Sequence, residues 1–159
     1  MLSLPTVAHE HHDILLAHVQ ELGSIADAIG KVSQAELEDR LNAEYRFVTG
    51  QLVPHMERAE ATLYPELERL LQNRHSMTPL RREHEELRRL IGELGELRTH
   101  APDLGAHLRL RRTLYRMYSI LKVHLAEEEA YLAVLERNLS AEEQEDLARA
   151  MEHATAEPA

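Results

Sequence analysis

The sequence predicts an all-α protein: an antiparallel, up-down four-helix bundle followed by a short fifth helix. Three observations predict it. Apolar residues recur at steps of three and four almost throughout, and no segment shows the alternation that marks a strand. Two stretches, Ser33-Gln34-Ala35-Glu36 and Ser140-Ala141-Glu142-Glu143, have the form of capping boxes that open helices. The chain also echoes itself. Residues 52–63 match residues 121–132 at a constant offset of 69, which pairs His55 with His124, and Glu10-His11 returns as Glu83-His84 at offset 73.

Taken in order, the first helix carries the stripe Val7, His11, Ile14, His18, Leu22, Ile25 and Ile29, and it ends near Gly30. The second starts at the Ser33 box with Leu37, Leu41, Tyr45, Val48, Leu52, His55, Ala59 and Leu63 inward. Pro54 predicts a kink beside His55, Pro65 bends or ends the segment, and residues 66–78 read as an excursion. Thr78-Pro79 is the cap and first-turn proline of a third helix, with Leu80, His84, Leu87, Ile91 and Leu94 inward and Gly92 and Gly95 weakening its end. A break around Pro102, with Asp103 as cap, precedes a fourth helix whose inward residues are Leu110, Leu114, Met117, Leu121, His124, Glu128 and Leu132. The Ser140 box opens the fifth, which runs into a polar tail. Four long helices with short links favour up-down connectivity. The expected organisation is a single domain over 1–159, with the bundle at about 5–138 and the short helix at about 140–153.

Bulk properties narrow the function. With 28 acidic against 18 basic residues, the net charge is −10 and nucleic acid is an unfavourable partner. There is no cysteine, which removes disulfides and thiolate metal sites. Hydrophobic residues make up 43% of the chain but never form a membrane-length run. Met1-Leu2-Ser3-Leu4-Pro5 lacks the charged and apolar regions of a signal peptide, so no membrane role and a cytoplasmic location are expected.

The 11 histidines carry the functional argument. Reflecting residue numbers about the turns near 103 and 32 places His84 within a turn of His124, and His11 beside His55. Four inward imidazoles, one per helix and at one level, each need a polar partner, and a shared metal satisfies all of them. Imidazole with carboxylate and no sulfur suits iron, manganese or zinc. His9, His12, His100, His107 and His153 fall off the stripes, and within Glu127-Glu128-Glu129 only Glu128 is in ligand register.

These motifs resemble the hemerythrin-like, HHE cation-binding family. Glu10-His11 and Glu83-His84 match its Glu-His pairs on the first and third helices. His124-x-x-x-Glu128 matches its fourth-helix motif, and Leu63-Tyr64-Pro65 matches the close of its second. The resemblance covers roughly residues 5 to 138. It implies a hemerythrin-like bundle around a non-haem di-iron centre, two irons with an oxo or hydroxo bridge, that binds or reduces dioxygen, peroxide or nitric oxide. The implied ligands are His11, His55, His84, His124 and Glu128. An iron- or oxygen-responsive sensor is the alternative, and a metal-free structural bundle is the third reading.

One departure stands out: the family expects a carboxylate four residues after His55, where this chain has Ala59. Glu60, one residue later, lies about 140° from His55 on an ideal helix and turns inward only if Pro54 or a local bulge rotates the rod. Tyr45 and His18, expected to be close neighbours, are the other replacement ligands, and loss of one iron is the last possibility. A phenolate from Tyr45 favours the ferric state and points to peroxide or nitric-oxide turnover.

Overall fold

The computed structural model describes residues 4–100 and 103–153. Residues 1–3, Pro102 and the tail after His153, each read from sequence above, lie outside the described residues. Helix α1 spans Leu4–Ala28. A second rod is built from α2 (Gln34–Phe47), α3 (Val53–Arg58) and α4 (Tyr64–Leu70), joined by π-helical turns at Val48–Leu52 and Ala59–Leu63. It is followed by α5 (Thr78–Leu97), a 3-10 turn (Arg98–His100), α6 (Leu104–Asn138) and α7 (Ala141–His153). The fold is thus an all-α bundle with a short C-terminal helix, and the described residues contain no strand.

Local chemistry explains the boundaries. Gly30, with φ +83°, ends the first helix in the left-handed region that glycine tolerates best. The Ser33 hydroxyl accepts the Glu36 N–H at 3.2 Å. At α7 the box is reciprocal: Glu143 N–H donates to the Ser140 hydroxyl, and Ser140 N–H donates to the Glu143 carboxylate. Asp103 takes the N-cap of α6 with extended backbone but makes no side-chain cap bond.

The expected excursion is shorter than the sequence suggested. Pro65 neither ends nor diverts the rod, which continues to Leu70, so the loop occupies only residues 71–77 and turns at Gln72 with φ 52°. The reason lies in the π turns. Val53 N–H bonds the Val48 carbonyl and Tyr64 N–H bonds the Ala59 carbonyl, each reaching back five residues, and a proline follows immediately in both cases. Proline has no N–H to continue the ladder, and its ring clashes with the carbonyl four residues back. Widening the preceding turn relieves that clash without breaking the helix.

Two apolar clusters fill the bundle. One is built around Leu22, Leu41, Leu90 and Leu114; the other gathers Leu4, Val7, Ala59, Leu63, Leu80, Leu132 and the α7 residues Ala148 and Met151. Between them lies a polar layer containing His12, His55, His84, His124 and Glu128, all buried. At α5, a Cβ on Gly95 would sit 2.8 Å from the Tyr45 hydroxyl, whereas one on Gly92 meets nothing within 4 Å. Gly92→Ala should therefore raise stability by about 0.5–1 kcal/mol through helix propensity. Gly95→Ala should lose that gain to overpacking and come out destabilised by about 1 kcal/mol in urea unfolding.

Candidate metal centre

Each of the four long rods contributes an imidazole to the polar layer. His84 is fully buried and directs Nε2 to within 3.0 Å of His124 Nε2. Its Nδ1 donates to Glu60 Oε1 at 2.7 Å, and His124 Nδ1 donates to Glu83 Oε2 at 3.3 Å. On the opposite side, His12 Nδ1 donates to Glu129 Oε2 at 2.7 Å. Three of the four rings therefore donate Nδ1–H to a carboxylate, which selects that tautomer and, in the neutral ring, leaves Nε2 as an acceptor. Glu128 lies at the centre: Oε1 is 3.3 Å from His55 Nε2 and Oε2 is 3.4 Å from His124 Nε2. His12, His55 and Glu128 each offer an atom within 4.8 Å of the other two.

The electrostatics favour a charged carboxylate at Glu128 beside a neutral imidazole at His84. Burial works against ionisation of Glu128, but His55 and His124 outweigh it and hold the carboxyl well below its usual range. Burial, with His124 beside it, pulls His84 down to about 4, so this ring is neutral at pH 7. For His124 burial also lowers the value, yet Glu128 and Glu83 prevail and raise it. Tyr64 completes the layer, its hydroxyl 3.1 Å from His84 Nε2 and 3.5 Å from His124 Nε2. Burial, then Glu128, pushes the phenol far above its usual value, which keeps it a neutral donor.

This donor set fits a transition-metal cation. Two imidazole acceptors facing each other at 3.0 Å repel unless a proton or a cation lies between them, and that spacing is what two metal–nitrogen bonds of about 2.1 Å subtend at a right angle. Glu128 Oε2 is buried without a hydrogen-bond partner, a costly arrangement for a charged oxygen. Imidazole, carboxylate and phenol without sulfur make the chemistry that borderline and hard cations take.

The sequence expectations map unevenly onto this geometry. His55, His84, His124 and Glu128 are brought together. On α1 the expected register is off by one: His12 enters the layer, and His11 lies at the side of a cavity with its ring centroid 6.2 Å from that of His55. Of the expected stripe, Val7, Leu22, Ile25 and Ile29 are buried, but around the layer the buried residues are Ala8, His12, Leu15 and Val19, while Ile14 is half exposed. Glu60 does not share the face of His55. It turns to α5, bonding His84 and receiving both Nη atoms of Arg88 at 3.0 Å. It therefore supports an imidazole from behind.

Tyr45 and His18 are not placed to replace a ligand. Tyr45 packs on Gly95, eleven residues and about 16 Å along α5 from His84, and stacks under Arg98 at 4.2 Å. His18 donates to Glu44 at 2.8 Å and stacks on Phe47 with ring centroids 3.4 Å apart, so its partners flank Tyr45 in sequence. Ala59 sits in the second apolar cluster with Leu4, Val7 and Ala8.

Sequence reasoning missed His12, Tyr64, Glu83 and Glu129. Tyr64 lies nine residues after His55, which is two and a half turns on an ideal helix and therefore about the opposite face. The π turn at Ala59–Leu63 inserts one extra residue and turns Tyr64 back by about 100°. The available signal was the pair of prolines, each of which marks such a turn. The sequence model of the hemerythrin family, described as the hemerythrin HHE cation binding domain, matches residues 5–135. Neither a curated protein nor a solved structure gives a significant match.

Proposed function

The chain belongs to the hemerythrin HHE cation-binding family, and on that premise we propose that its polar layer holds iron and that the protein binds or reduces a small oxidant such as dioxygen, peroxide or nitric oxide. The observation that carries the reading is the convergence of His12, His55, His84 and His124 on Glu128, three of the rings being fixed at Nδ1 by Glu129, Glu60 and Glu83. His12 takes the place first expected of His11. Glu128, lying between His55 and His124, is the residue able to serve two irons, and Tyr64 supplies the oxygen donor that Ala59 lacks. Bound iron supplies redox electrons and an open coordination position.

The surrounding residues do the rest. The three carboxylates fix the tautomer of their imidazoles and raise their basicity. The apolar clusters cover the layer above and below, while His55 and His12 line cavities at its sides. Without metal the Tyr64 phenol keeps its proton beside the two Nε2 atoms; iron held there would displace that proton and take the oxygen as a phenolate. The test is iron content per chain after anaerobic loading and desalting, with the optical spectrum recorded on the same sample. Two irons support the two-metal form, one iron a mononuclear form, and none overturns the proposal. Tyr64→Phe should keep the bundle folded and lose a visible phenolate-to-iron band; an unchanged spectrum removes Tyr64 from the ligand set.

A further inference from the structure

Glu60 reaches His84 with an arginine already attached. Its Oε1 accepts His84 Nδ1–H at 2.7 Å. The same carboxylate takes Nη1 and Nη2 of Arg88 at 3.0 Å each, one nitrogen to each oxygen. Arg88 lies four residues after His84 on α5, so one turn of helix presents both the ring and the cation to a single carboxylate. Glu83 and Glu129, the carboxylates behind His124 and His12, pair with no arginine or lysine among the described residues. The three supports are therefore chemically unequal.

The inequality matters for an imidazole that binds a metal. A carboxylate that accepts Nδ1–H draws the proton toward itself and makes the ring a more basic, more anionic donor. Such a donor stabilises the higher oxidation state, and hydrogen bonds behind the ligands are one of the levers by which a protein sets a potential. A bidentate guanidinium spreads the carboxylate's charge over two strong hydrogen bonds. Glu60 then orients His84 while lending it little of that charge. Arg88's own charge acts less directly, because 35% of its side chain is exposed and water and salt screen it. Ala59 works in the same direction: the carboxylate expected on the ligand face arrives one residue later, behind a ring and already paired. We propose that Arg88 is a positioning residue that biases the iron of the polar layer toward its ferrous form, acting through Glu60 on His84. This rests on the iron reading above and adds to it which residue sets the oxidation-state preference of the site.

The test is the ferric/ferrous midpoint potential of the iron-loaded full chain, read by spectroelectrochemical titration on samples of measured iron content. Arg88→Met should lower it by about 59 mV, a tenfold shift toward the ferric form for a one-electron couple. In a Glu60→Gln background, where the amide oxygen can still accept His84 Nδ1–H, the same substitution should move the potential by no more than about a third as much, since the coupling runs through the carboxylate. If Arg88→Met does not hold iron, Arg88→Lys serves: it keeps a cation but loses the fork, and a smaller drop is expected. An unchanged or raised potential, or an equal drop without the Glu60 carboxylate, would overturn the proposal. A wild-type chain that takes up no iron overturns the function proposed above and this inference together. An iron-replete chain whose potential ignores Arg88 overturns only this one.

Discussion

Glu128→Gln should strip the chain of the iron proposed for its polar layer. The carboxylate lies within 3.4 Å of imidazole nitrogens from two different rods, and among the described residues no other acidic side chain pairs with both. Neutralising it removes the negative charge that offsets a cation in a layer otherwise made of imidazoles and a phenol. Iron retained after anaerobic loading and desalting should fall to under about a tenth of the wild-type content, since even residues behind the ligands typically contribute ten- to a hundredfold to affinity. The amide keeps the shape of the side chain, so helical circular dichroism should be unchanged. Full retention of iron would place the metal elsewhere on a chain that carries 28 acidic residues.

Leu114→Ala produces the opposite pattern. Leu114 is fully buried in the first apolar cluster, ten residues and about 15 Å along α6 from His124. Deleting its side chain leaves a cavity that close-packed neighbours fill only partly, at a cost of about 2–5 kcal/mol. For a chain of this size that lowers Tm by roughly 5–20 °C. Iron content per folded chain should remain at the wild-type value, since the polar layer lies outside the disturbed cluster. The two substitutions together separate the metal layer from the packing around it; equal loss of iron in both would mean that the layer is held by general compactness rather than by its own hydrogen bonds.

The helices were legible because each obeys a local rule. The Ser33 and Ser140 boxes, Gly30 and the 3–4 spacing need no knowledge of distant residues, and the structure contains the elements they announce. The level of the four imidazoles was legible too, since reflection about a turn uses only the helical rise. What failed was angular position. On α1 two stripes fit the sequence equally well, because Ile14, Leu15 and Leu16 are all apolar and His11 and His12 are adjacent. Only packing against α6, where Glu129 waits for His12, decides between them. On the second rod two π turns shift the frame, which moves Tyr64 inward and leaves Tyr45 facing Gly95. Carboxylates behind the rings could not be read at all, because Glu60–His84, Glu83–His124 and Glu129–His12 are pairings between different helices.

The docking of α7 has a consequence for where this protein begins and ends as a physical object. The family signature stops at residue 135, yet Ala148 and Met151 are packed into the same apolar cluster as Leu4, Val7 and Ala59, and the Met151 carbonyl holds Arg58. The stretch that marks kinship is therefore smaller than the stretch that seals the interior. Grafted alone into another chain, residues 5–135 would carry their imidazoles with them but leave an open seam beneath Ala59 and a guanidinium stripped of its last tether. Heredity is written in the bundle; closure is written in the helix that follows it.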